Sequence, residues 1–286
     1  MGEICFLSMD DLGWYVADDD LAIGPLSELG VDVSTLSWRQ TKRQWSEFQS
    51  VIIRTPWDYQ SSPDEFLSVL SEIEGQTRLE NPLDIVRWNL AKTYLRDMEE
   101  RGVRIVPSIW RPKYSEEQFG FWRDVFGQEE LIIKPVVSAT AEHTYRLGAY
   151  DSSLESIFKT RPFLVQPFIP NIVDEGEFSL FYFNGRYSHA INKSPKANDF
   201  RVQEEHGGII TAIQPDDELL RAGEEVVREI EHDLLYARVD FVRDEHGKLC
   251  LMELELIEPA LYLRMDAGAP KRFARAINER LTANKG

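Results

Sequence analysis

The sequence predicts a protein of mixed α/β and α+β class, in which a parallel α/β lobe is followed by two α+β lobes. Two patterns support this prediction. In the first part of the chain, short apolar runs alternate with segments of helical spacing, as in the strand–helix–strand units of a parallel sheet. From about residue 176 onward, apolar runs are joined by short turns such as Asn184-Gly185, which is typical of antiparallel hairpins. We predict domains at residues 1–104, 105–175 and 176–286.

The amino-terminal lobe is predicted from apolar runs of strand length, each followed by a helical or turn segment. The predicted elements are strands at 3–8, 31–36 and 51–59, helices at 20–29, 63–74 and 85–102, and a turn at 79–82. Because ligands of parallel sheets bind beyond the carboxyl ends of the strands, three residues after the third strand are candidate substrate contacts. Arg54 would bind a substrate carboxylate, Asp58 would bind an ammonium, and Trp57 would wall the pocket. The alternative is that Arg54 and Asp58 pair with each other and brace the turn.

The rest of the chain contains shorter elements, and more of them are β-strands. The predicted elements are strands at 103–110, 131–135 and 163–169, a hairpin over 177–191, an acidic helix at 217–232, strands at 236–243 and 248–257, and a terminal helix at 270–283. This order predicts a central α+β unit and a carboxyl-terminal antiparallel unit.

Composition and charge exclude several classes of partner. The formal net charge of −17 argues against a nucleic acid or an anionic membrane surface as the main partner. No apolar run approaches the roughly 18 residues of a membrane span, and the first residues lack the basic start of a signal peptide. The two cysteines, Cys5 and Cys250, each lie within a predicted strand, and the five histidines show no ligand spacing. We therefore expect a cytoplasmic protein without disulfides or a zinc site.

An acidic hairpin near the carboxyl end is the clearest indication of chemistry. Because side chains alternate along a strand, Glu253 and Glu255 share one face, and Asp240 on the preceding strand can lie across from them. Three adjacent carboxylates repel one another, and a hard cation such as Mg²⁺ removes that repulsion. We predict one or two Mg²⁺ ions at these residues. The alternative is an edge hairpin with its glutamates in solvent. Glu258, at the strand end, is a weaker ligand candidate that could instead pair with an arginine.

Other residues are suited to an anionic nucleotide. Lys134 ends an apolar strand, where its ammonium requires an anion, and the following loop of small residues contains Ser138 and can turn backbone N–H groups toward a phosphate. Glu175 and Glu177 are suitable acceptors for ribose hydroxyls. An extended segment can present its backbone to a purine edge, and it consists of Gln166, Pro167, Phe168 and Ile169.

Taken together and in this order, these residues resemble the ATP-grasp superfamily. Within it, the chain is similar to the glutathione-synthetase-like branch, and to the group of the ATP-grasp enzyme of D-cycloserine biosynthesis. The resemblance covers almost the whole chain. It implies an ATP-grasp fold, with the nucleotide enclosed by the two α+β lobes and the amino-terminal lobe on the substrate side. The segments that carry it are RTPWDY (54–59), NP (81–82), VRWNLAKTYL (86–95), SHAINKSP (188–195), DFRVQ (199–203), HGG (206–208) and LELIEP (254–259).

The resemblance implies roles for particular residues. Lys92, which by its helical position alone would be a solvated lysine, and Lys134 match the lysines that hold the ATP phosphates. The segment 166–169 matches the hinge that binds adenine, and Glu177 matches an acid near the ribose or the substrate. The metal-binding positions match Asp240, Glu253 and Glu255, where the third residue is asparagine in many ATP-grasp ligases.

The chain departs from the family pattern at two positions. Thr140 stands where the family pattern predicts glycine, and Ser179 stands where glutathione synthetase has an arginine for the acyl phosphate. Another basic residue must then take this role, and the loop 193–208 supplies Arg201 as the candidate, together with Lys193. The paired glycines of that loop, Gly207 and Gly208, are candidate substrate contacts. The alternative for Arg201 is a salt bridge to Glu204 or Glu205.

The resemblance implies an ATP- and Mg²⁺-dependent ligase. The enzyme would activate a small carboxylate as an acyl phosphate and join it to an amine, forming a C–N bond. Positioning and charge neutralisation suffice for such phosphoryl transfer, which agrees with the lack of a nucleophile–histidine signature or a GxxxxGK[ST] loop. Two alternatives are an ATP-dependent phosphotransferase with a stable phosphorylated product and a non-catalytic nucleotide-binding module. The expected partners are small carboxylate and amine substrates, and a homodimer is left open.

Overall fold

The amino-terminal sheet is parallel, as predicted, with the strand order β2-β1-β3-β4. The structure is a computed structural model that describes residues 2–40, 43–111, 113–138, 141–197 and 199–283. Helix α2 covers one face of this sheet, and α1 packs against the other face. The elements are β1 (Gly2–Ser8), α1 (Ile23–Glu28), β2 (Val31–Ser37), β3 (Ser50–Thr55), α2 (Pro63–Gln76) and β4 (Arg78–Glu80).

The predicted turn at 79–82 is wrong in its first half, because residues up to Glu80 extend the sheet as β4. Glu80 is buried and accepts a hydrogen bond from Arg280 Nε at 2.6 Å. The chain turns only at Asn81, which has a φ of 59°. Its amide then donates to the carbonyl oxygens of Tyr236 and Leu256, at 2.8 and 2.7 Å. This residue therefore joins the amino-terminal lobe to the carboxyl-terminal one.

The predicted helix at 85–102 is two helices, α3 (Leu83–Asn89) and α4 (Tyr94–Glu100). The break follows Asn89, whose side chain donates to Leu254 O and accepts from Leu256 N, at 2.8 and 2.9 Å. The N–H of Lys92 donates to Val136 O at 2.9 Å instead of continuing the helix. Contacts with distant strands thus outweigh the local helical pattern.

The central sheet is antiparallel, in the order β5-β8-β6-β7, and packs on α5 through Trp122, Phe158 and Phe163. The predicted strand at 103–110 is mostly irregular, because Pro107 has no N–H for a ladder. Helix α5 and strand β7 were not predicted. The elements are β5 (Ile109–Arg111), α5 (Glu116–Phe126), β6 (Leu131–Pro135), β7 (Tyr145–Leu147), α6 (Glu155–Phe158) and β8 (Phe163–Pro167).

The carboxyl-terminal sheet is antiparallel, in the order β11-β10-β9-β12-β13. The predicted hairpin at Asn184-Gly185 is confirmed, and both turn residues have positive φ. One face of the sheet is apolar and packs on α3, α4 and α8, whereas the other carries buried charged residues. The elements are α7 (Asn171–Asp174), β9 (Glu177–Phe183), β10 (Arg186–Ser194), β11 (Ile209–Ile213), α8 (Asp217–Arg228), β12 (Tyr236–Arg243), β13 (Leu249–Glu255) and α9 (Ala269–Ala283).

Each sheet lies within one of the domain ranges 1–104, 105–175 and 176–286, whose boundaries remain a prediction. Within the described residues, no helix combines the length and the apolar character that a membrane crossing requires.

Candidate active site

A cleft separates the central sheet from the charged face of the carboxyl-terminal sheet. The amino-terminal lobe closes one end of it with Tyr15, Trp57 and Tyr59. The opposite end is apolar and is formed by Ile132, Phe168, Ile169, Ile172 and Met252.

The predicted acidic cluster exists at the floor of this cleft. Strands β12 and β13 pair so that Asp240 lies opposite Glu253. An oxygen of each of Asp240, Glu253 and Glu255 lies within 4.8 Å of the others. Asp240 is 1% exposed, whereas the two glutamate side chains keep 27% and 28% of their surface exposed. Because Glu253 and Glu255 line the cleft and pair there with basic side chains, and Asp240 is buried beside them, the alternative of a solvated edge hairpin is wrong.

Basic side chains make this cluster tolerable. Arg238 Nη2 lies 3.0 Å from Asp240 Oδ2, and the same guanidinium contacts Glu255. Lys193 Nζ lies 3.1 Å from Asp240 Oδ2 and also contacts Glu177. Arg238 was not among the site residues predicted from the sequence. Its position two residues before Asp240, on the same strand face, was the available signal.

Lysines predicted for phosphate binding lie on the other side of Glu253. Lys92 is buried, not solvated, and its Nζ lies 2.9 Å from Glu253 Oε1 and donates to Ser138 O at 2.9 Å. Lys134 is also buried, and its Nζ lies 3.9 Å from Met252 Sδ. Burial lowers the pKa of Lys134 to about 8. An anion in the cleft would therefore relieve the desolvation of this ammonium.

The acids of the cluster differ in their readiness to ionise. Burial opposes ionisation of Asp240, but Arg238 and Lys193 outweigh it and lower the pKa of Asp240 to about 2. Burial is likewise outweighed at Glu253, where the lysine charges lower the pKa. At Glu255, burial dominates in spite of Arg238, and repulsion from Glu253 and Asp240 adds to it, so its pKa rises to about 8. A divalent cation here would favour the ionised form of all three carboxylates.

The predicted adenine segment follows β8 into the apolar end of the cleft. Gln166 is buried, and its amide donates to Ser108 Oγ at 2.9 Å, which holds the strand end in place. Phe168 lies under the guanidinium of Arg146, 3.6 Å from the ring centroid. Pro167 and Ile169 complete this wall beside Phe168. The side chain of Gln166 is thus occupied, and the backbone of the segment is the part that can meet a base.

Glu175 does not join Glu177 in the cleft, and this is a correction. Its carboxylate lies 3.8 Å from Arg243 Nε, and 43% of its side chain is exposed outside the cleft lining. Glu177 does line the cleft, but it contacts Lys193, and burial raises its pKa.

The loop between β10 and β11 lies at the cleft mouth. Arg201 lines the cleft, and its fork is occupied by Asp199, at 3.1 and 2.9 Å, so the predicted alternatives Glu204 and Glu205 are wrong as partners. Gly207 and Gly208 lie outside the cleft lining. Gly208 is required for packing, because a Cβ there would lie 2.0 Å from Val202 O. In the small-residue loop, Ser138 lines the cleft, whereas Ala139 and Thr140 lie outside the described residues.

Both interpretations of Arg54 and Asp58 are wrong. Arg54 is 1% exposed and lies outside the cleft, with Nε 2.7 Å from Asp19 Oδ1 and Nη2 donating to Pro259 O at 2.9 Å. Asp58 instead accepts from Trp38 Nε1 at 2.7 Å and from Arg39 Nε at 2.9 Å. Neither residue reaches the cleft, and they do not pair with each other.

Trp57 does wall the cleft, where its indole donates to Glu258 O at 2.9 Å. Glu258 lies in the same wall beside Tyr59, and within the described residues it forms no salt bridge to an arginine. Tyr262, also in the cleft lining, has a φ of 46°, a strained conformation for a residue with a Cβ that is often found at functional sites.

The class of protein is defined by two α+β lobes, whose sheets face each other across buried lysines, an arginine and a carboxylate cluster. The chain has the ATP-grasp fold and is similar to proteins of the glutathione-synthetase-like branch, and it is an enzyme of the carboxylate–amine ligase type. It is similar to the cycloserine biosynthesis protein DcsG of Streptomyces lavendulae, with 28% identity over 301 residues, or 92% of this chain and 94% of that protein. Residues 4–81 match the family model of the D-cycloserine synthetase DcsG N-terminal domain.

Solved structures and a more distant relative agree with this assignment. The crystal structure of D-cycloserine synthetase DcsG superposes with a TM-score of 0.83 at 25% identity, covering 98% of this chain and all of that one. A D-alanine–D-alanine ligase from Bacillus anthracis complexed with ATP shares the fold, with a TM-score of 0.65 over the full length of both chains at 15% identity. Glutathione synthetase of Prochlorococcus marinus (strain MIT 9313) is 28% identical over 145 residues, covering 49% of this chain and 44% of that protein.

Proposed function

We propose that this enzyme uses ATP and one or two Mg²⁺ ions to convert a small carboxylate into an acyl phosphate, which an amine then attacks to form a C–N bond. The observation that supports it most strongly is the arrangement of acids and bases on the cleft floor. Oxygen atoms of Asp240, Glu253 and Glu255 lie within 4.8 Å of one another and form the type of donor set that Mg²⁺ prefers. When bound, Mg²⁺ would neutralise charge on the β- and γ-phosphates of ATP.

Lys92 and Lys134 lie where they can bind the phosphates of ATP. Lys92 already contacts Glu253, and it can exchange this carboxylate for a phosphate oxygen when the carboxylate becomes a metal ligand. Lys134 has no carboxylate within salt-bridge distance among the described residues, so a phosphate would compensate its buried charge. The backbone of 167–169 and the apolar end of the cleft would hold the adenine.

Arg238 is better placed than Arg201 to neutralise the acyl phosphate. Its guanidinium borders both Asp240 and Glu255, at the point where phosphates would meet the metal. A planar fork next to developing charge stabilises a transferring phosphoryl group without needing to rearrange. Lys193 neutralises Asp240 from the opposite side and keeps it ionised. Arg201, which is held by Asp199 at the cleft mouth, would assist when the loop contacts the substrate.

The test is ADP release over a panel of carboxylates with and without amines, with hydroxylamine as a trap. An acyl phosphate reacts with hydroxylamine to give a hydroxamate, whereas a stable phosphorylated product does not. We expect ADP formation that requires Mg²⁺ and a carboxylate, and hydroxamate in the presence of the trap. ADP formation without hydroxamate would favour a phosphotransferase, and nucleotide binding without turnover would favour a non-catalytic module.

A further inference from the structure

Among the described residues, the carboxylates that line the cleft pair with basic side chains except at one end. Glu253 meets Lys92, Glu177 meets Lys193, and Glu255 meets Arg238. Within the part of the chain that the structure describes, Glu205 and Glu258 line the cleft without a salt bridge to any basic side chain. Both lie toward the amino-terminal lobe, where the neighbouring lining residues are aromatic.

Glu258 is partly buried and lies in the cleft wall together with Trp57 and Tyr59. Burial is the main cause that raises its pKa to about 7, while the hydroxyl of Tyr59 acts in the opposite direction and favours the ionised form. A desolvated carboxylate of this kind gains most from a cation, and the basic side chains whose charges act on it, Lys92 and Arg238, already pair with Glu253 and with Asp240 and Glu255.

The surroundings of Glu258 are suited to an organic cation. The indole of Trp57 is fixed by its hydrogen bond to Glu258 O at 2.9 Å, and the ring of Tyr15 lies 5.3 Å from it, tilted by 58°. Aromatic faces attract ammonium groups through their quadrupole, and the attraction grows when water is excluded. A carboxylate that lines the same cleft wall as two aromatic rings therefore favours an alkylammonium over a neutral hydroxyl.

We propose that Glu258, with the rings of Trp57 and Tyr15, is the subsite that binds an ammonium group of the substrate. This inference rests on the proposed function and makes it more specific. The Arg238 guanidinium lies on the same side, with Nη1 3.3 Å from Ala260 O, two residues beyond Glu258. A substrate with a carboxylate near Arg238 and an ammonium near Glu258 is a small amino acid. Glu258 thus replaces Asp58, the residue predicted from the sequence to bind this ammonium.

The experiment compares amino acids with their hydroxy-acid analogues. The full chain is loaded with Mg²⁺ and a non-hydrolysable ATP analogue, and binding is measured by calorimetry. The probes are matched pairs that differ only in the ammonium group, such as serine and glyceric acid or alanine and lactic acid, in both configurations. We expect at least one amino acid to bind on the order of tenfold or more tightly than its hydroxy acid, because the latter leaves Glu258 without a cation.

Substitution of Glu258 assigns the preference to this residue. Glu258→Gln keeps the shape and should lower amino-acid affinity about tenfold or more, with little change for the hydroxy acid or for Mg²⁺-ADP. Glu245→Gln, at an exposed glutamate in the turn before β13, is the matched control and should change neither affinity. Melting temperatures of both variants report whether they fold.

Each outcome decides the proposal. Equal binding of amino and hydroxy acids, a preference that survives in Glu258→Gln, or no binding of any amino acid to the loaded chain would overturn the subsite. If Glu258→Gln does not fold, Glu258→Asp is measured in its place, together with the preference of the wild type for the amino acid over the hydroxy acid. We expect this preference to be smaller in Glu258→Asp than in the wild type. An unchanged preference would also overturn the subsite. Failure of the proposed function is seen separately, as a lack of nucleotide binding or of ADP release with the amino acids that bind.

Discussion

Replacing Arg54 by methionine tests whether this residue braces the lobes or binds a substrate. The side chain is 1% exposed and forms an ion pair with Asp19 at 2.7 Å, and it also donates to Pro259 O at 2.9 Å. Removing one partner of a buried ion pair costs about 3–5 kcal/mol, because the other charge is left without compensation. The Asp19 side chain retains 13% of its surface exposed, so water offsets part of the loss. We therefore expect a cost near the lower bound, about 3 kcal/mol.

Thermal melting measures this cost. At roughly 2–4 °C per kcal/mol for a chain of about this size, Arg54→Met should melt roughly 6–12 °C below the wild type. The double variant Asp19→Asn, Arg54→Met should lose less than the sum of the single variants, because the second change removes a charge that the first has left unpaired. The control is Asp58→Asn, which removes a carboxylate that is 35% exposed and pairs with Arg39. It should cost no more than about 1 kcal/mol.

Kinetics complete this comparison. If Arg54 is a brace, the KM values of Arg54→Met for ATP and for the carboxylate substrate should both change little at a temperature where the variant is folded. A variant that melts with the wild type and shows a raised KM for the carboxylate substrate alone would refute the bracing role.

Four further predictions concern the cleft. Glu253→Gln should abolish Mg²⁺-dependent ADP release while its circular dichroism stays that of the wild type, since only a ligand charge is lost; turnover near the wild-type rate would exclude this residue as a ligand. Lys134→Ala should weaken ATP binding about tenfold or more by calorimetry, and unchanged affinity would contradict the phosphate contact. Because burial lowers the pKa of Lys134 from 10.5 to about 8, the folded state releases a proton that the unfolded chain keeps between these values. Without nucleotide, Lys134→Met should therefore be more stable than the wild type, and the difference should be largest below pH 8 and decrease toward pH 10.5. A difference in melting temperature that does not depend on pH would contradict this prediction. Arg238→Lys should lower kcat more than the KM for ATP, because an ammonium cannot reproduce the fork, and an unchanged kcat would return the role to Arg201.

Short-range patterns predicted much of the fold. The parallel amino-terminal sheet followed from apolar runs with turn and helix signals, and the β9–β10 hairpin from Asn184-Gly185, whose residues adopt the positive φ that such a turn requires. Predictions failed where distant partners decide. The helix predicted at 85–102 breaks after Asn89, because its amide binds the backbone of Leu254 and Leu256, about 165 residues along the chain. No local pattern contains that partner.

What the sequence determined by itself about the site is the spacing of its acids. Alternation along β13 places Glu253 and Glu255 on one face, and the turn before it brings Asp240 opposite, because a strand repeats every two residues whatever surrounds it. Which cation meets which anion was decided only by the tertiary structure. Arg54 pairs with Asp19 and not with Asp58, and it also donates to the carbonyl oxygen of Pro259, 205 residues away. Arg238 lies at the centre of the site, because its partners Asp240 and Glu255 lie on its own strand and on the neighbouring one. Charges at a surface can pair with many groups, but a buried charge must pair with the one that packing brings within reach, and packing depends on contacts from all lobes at once.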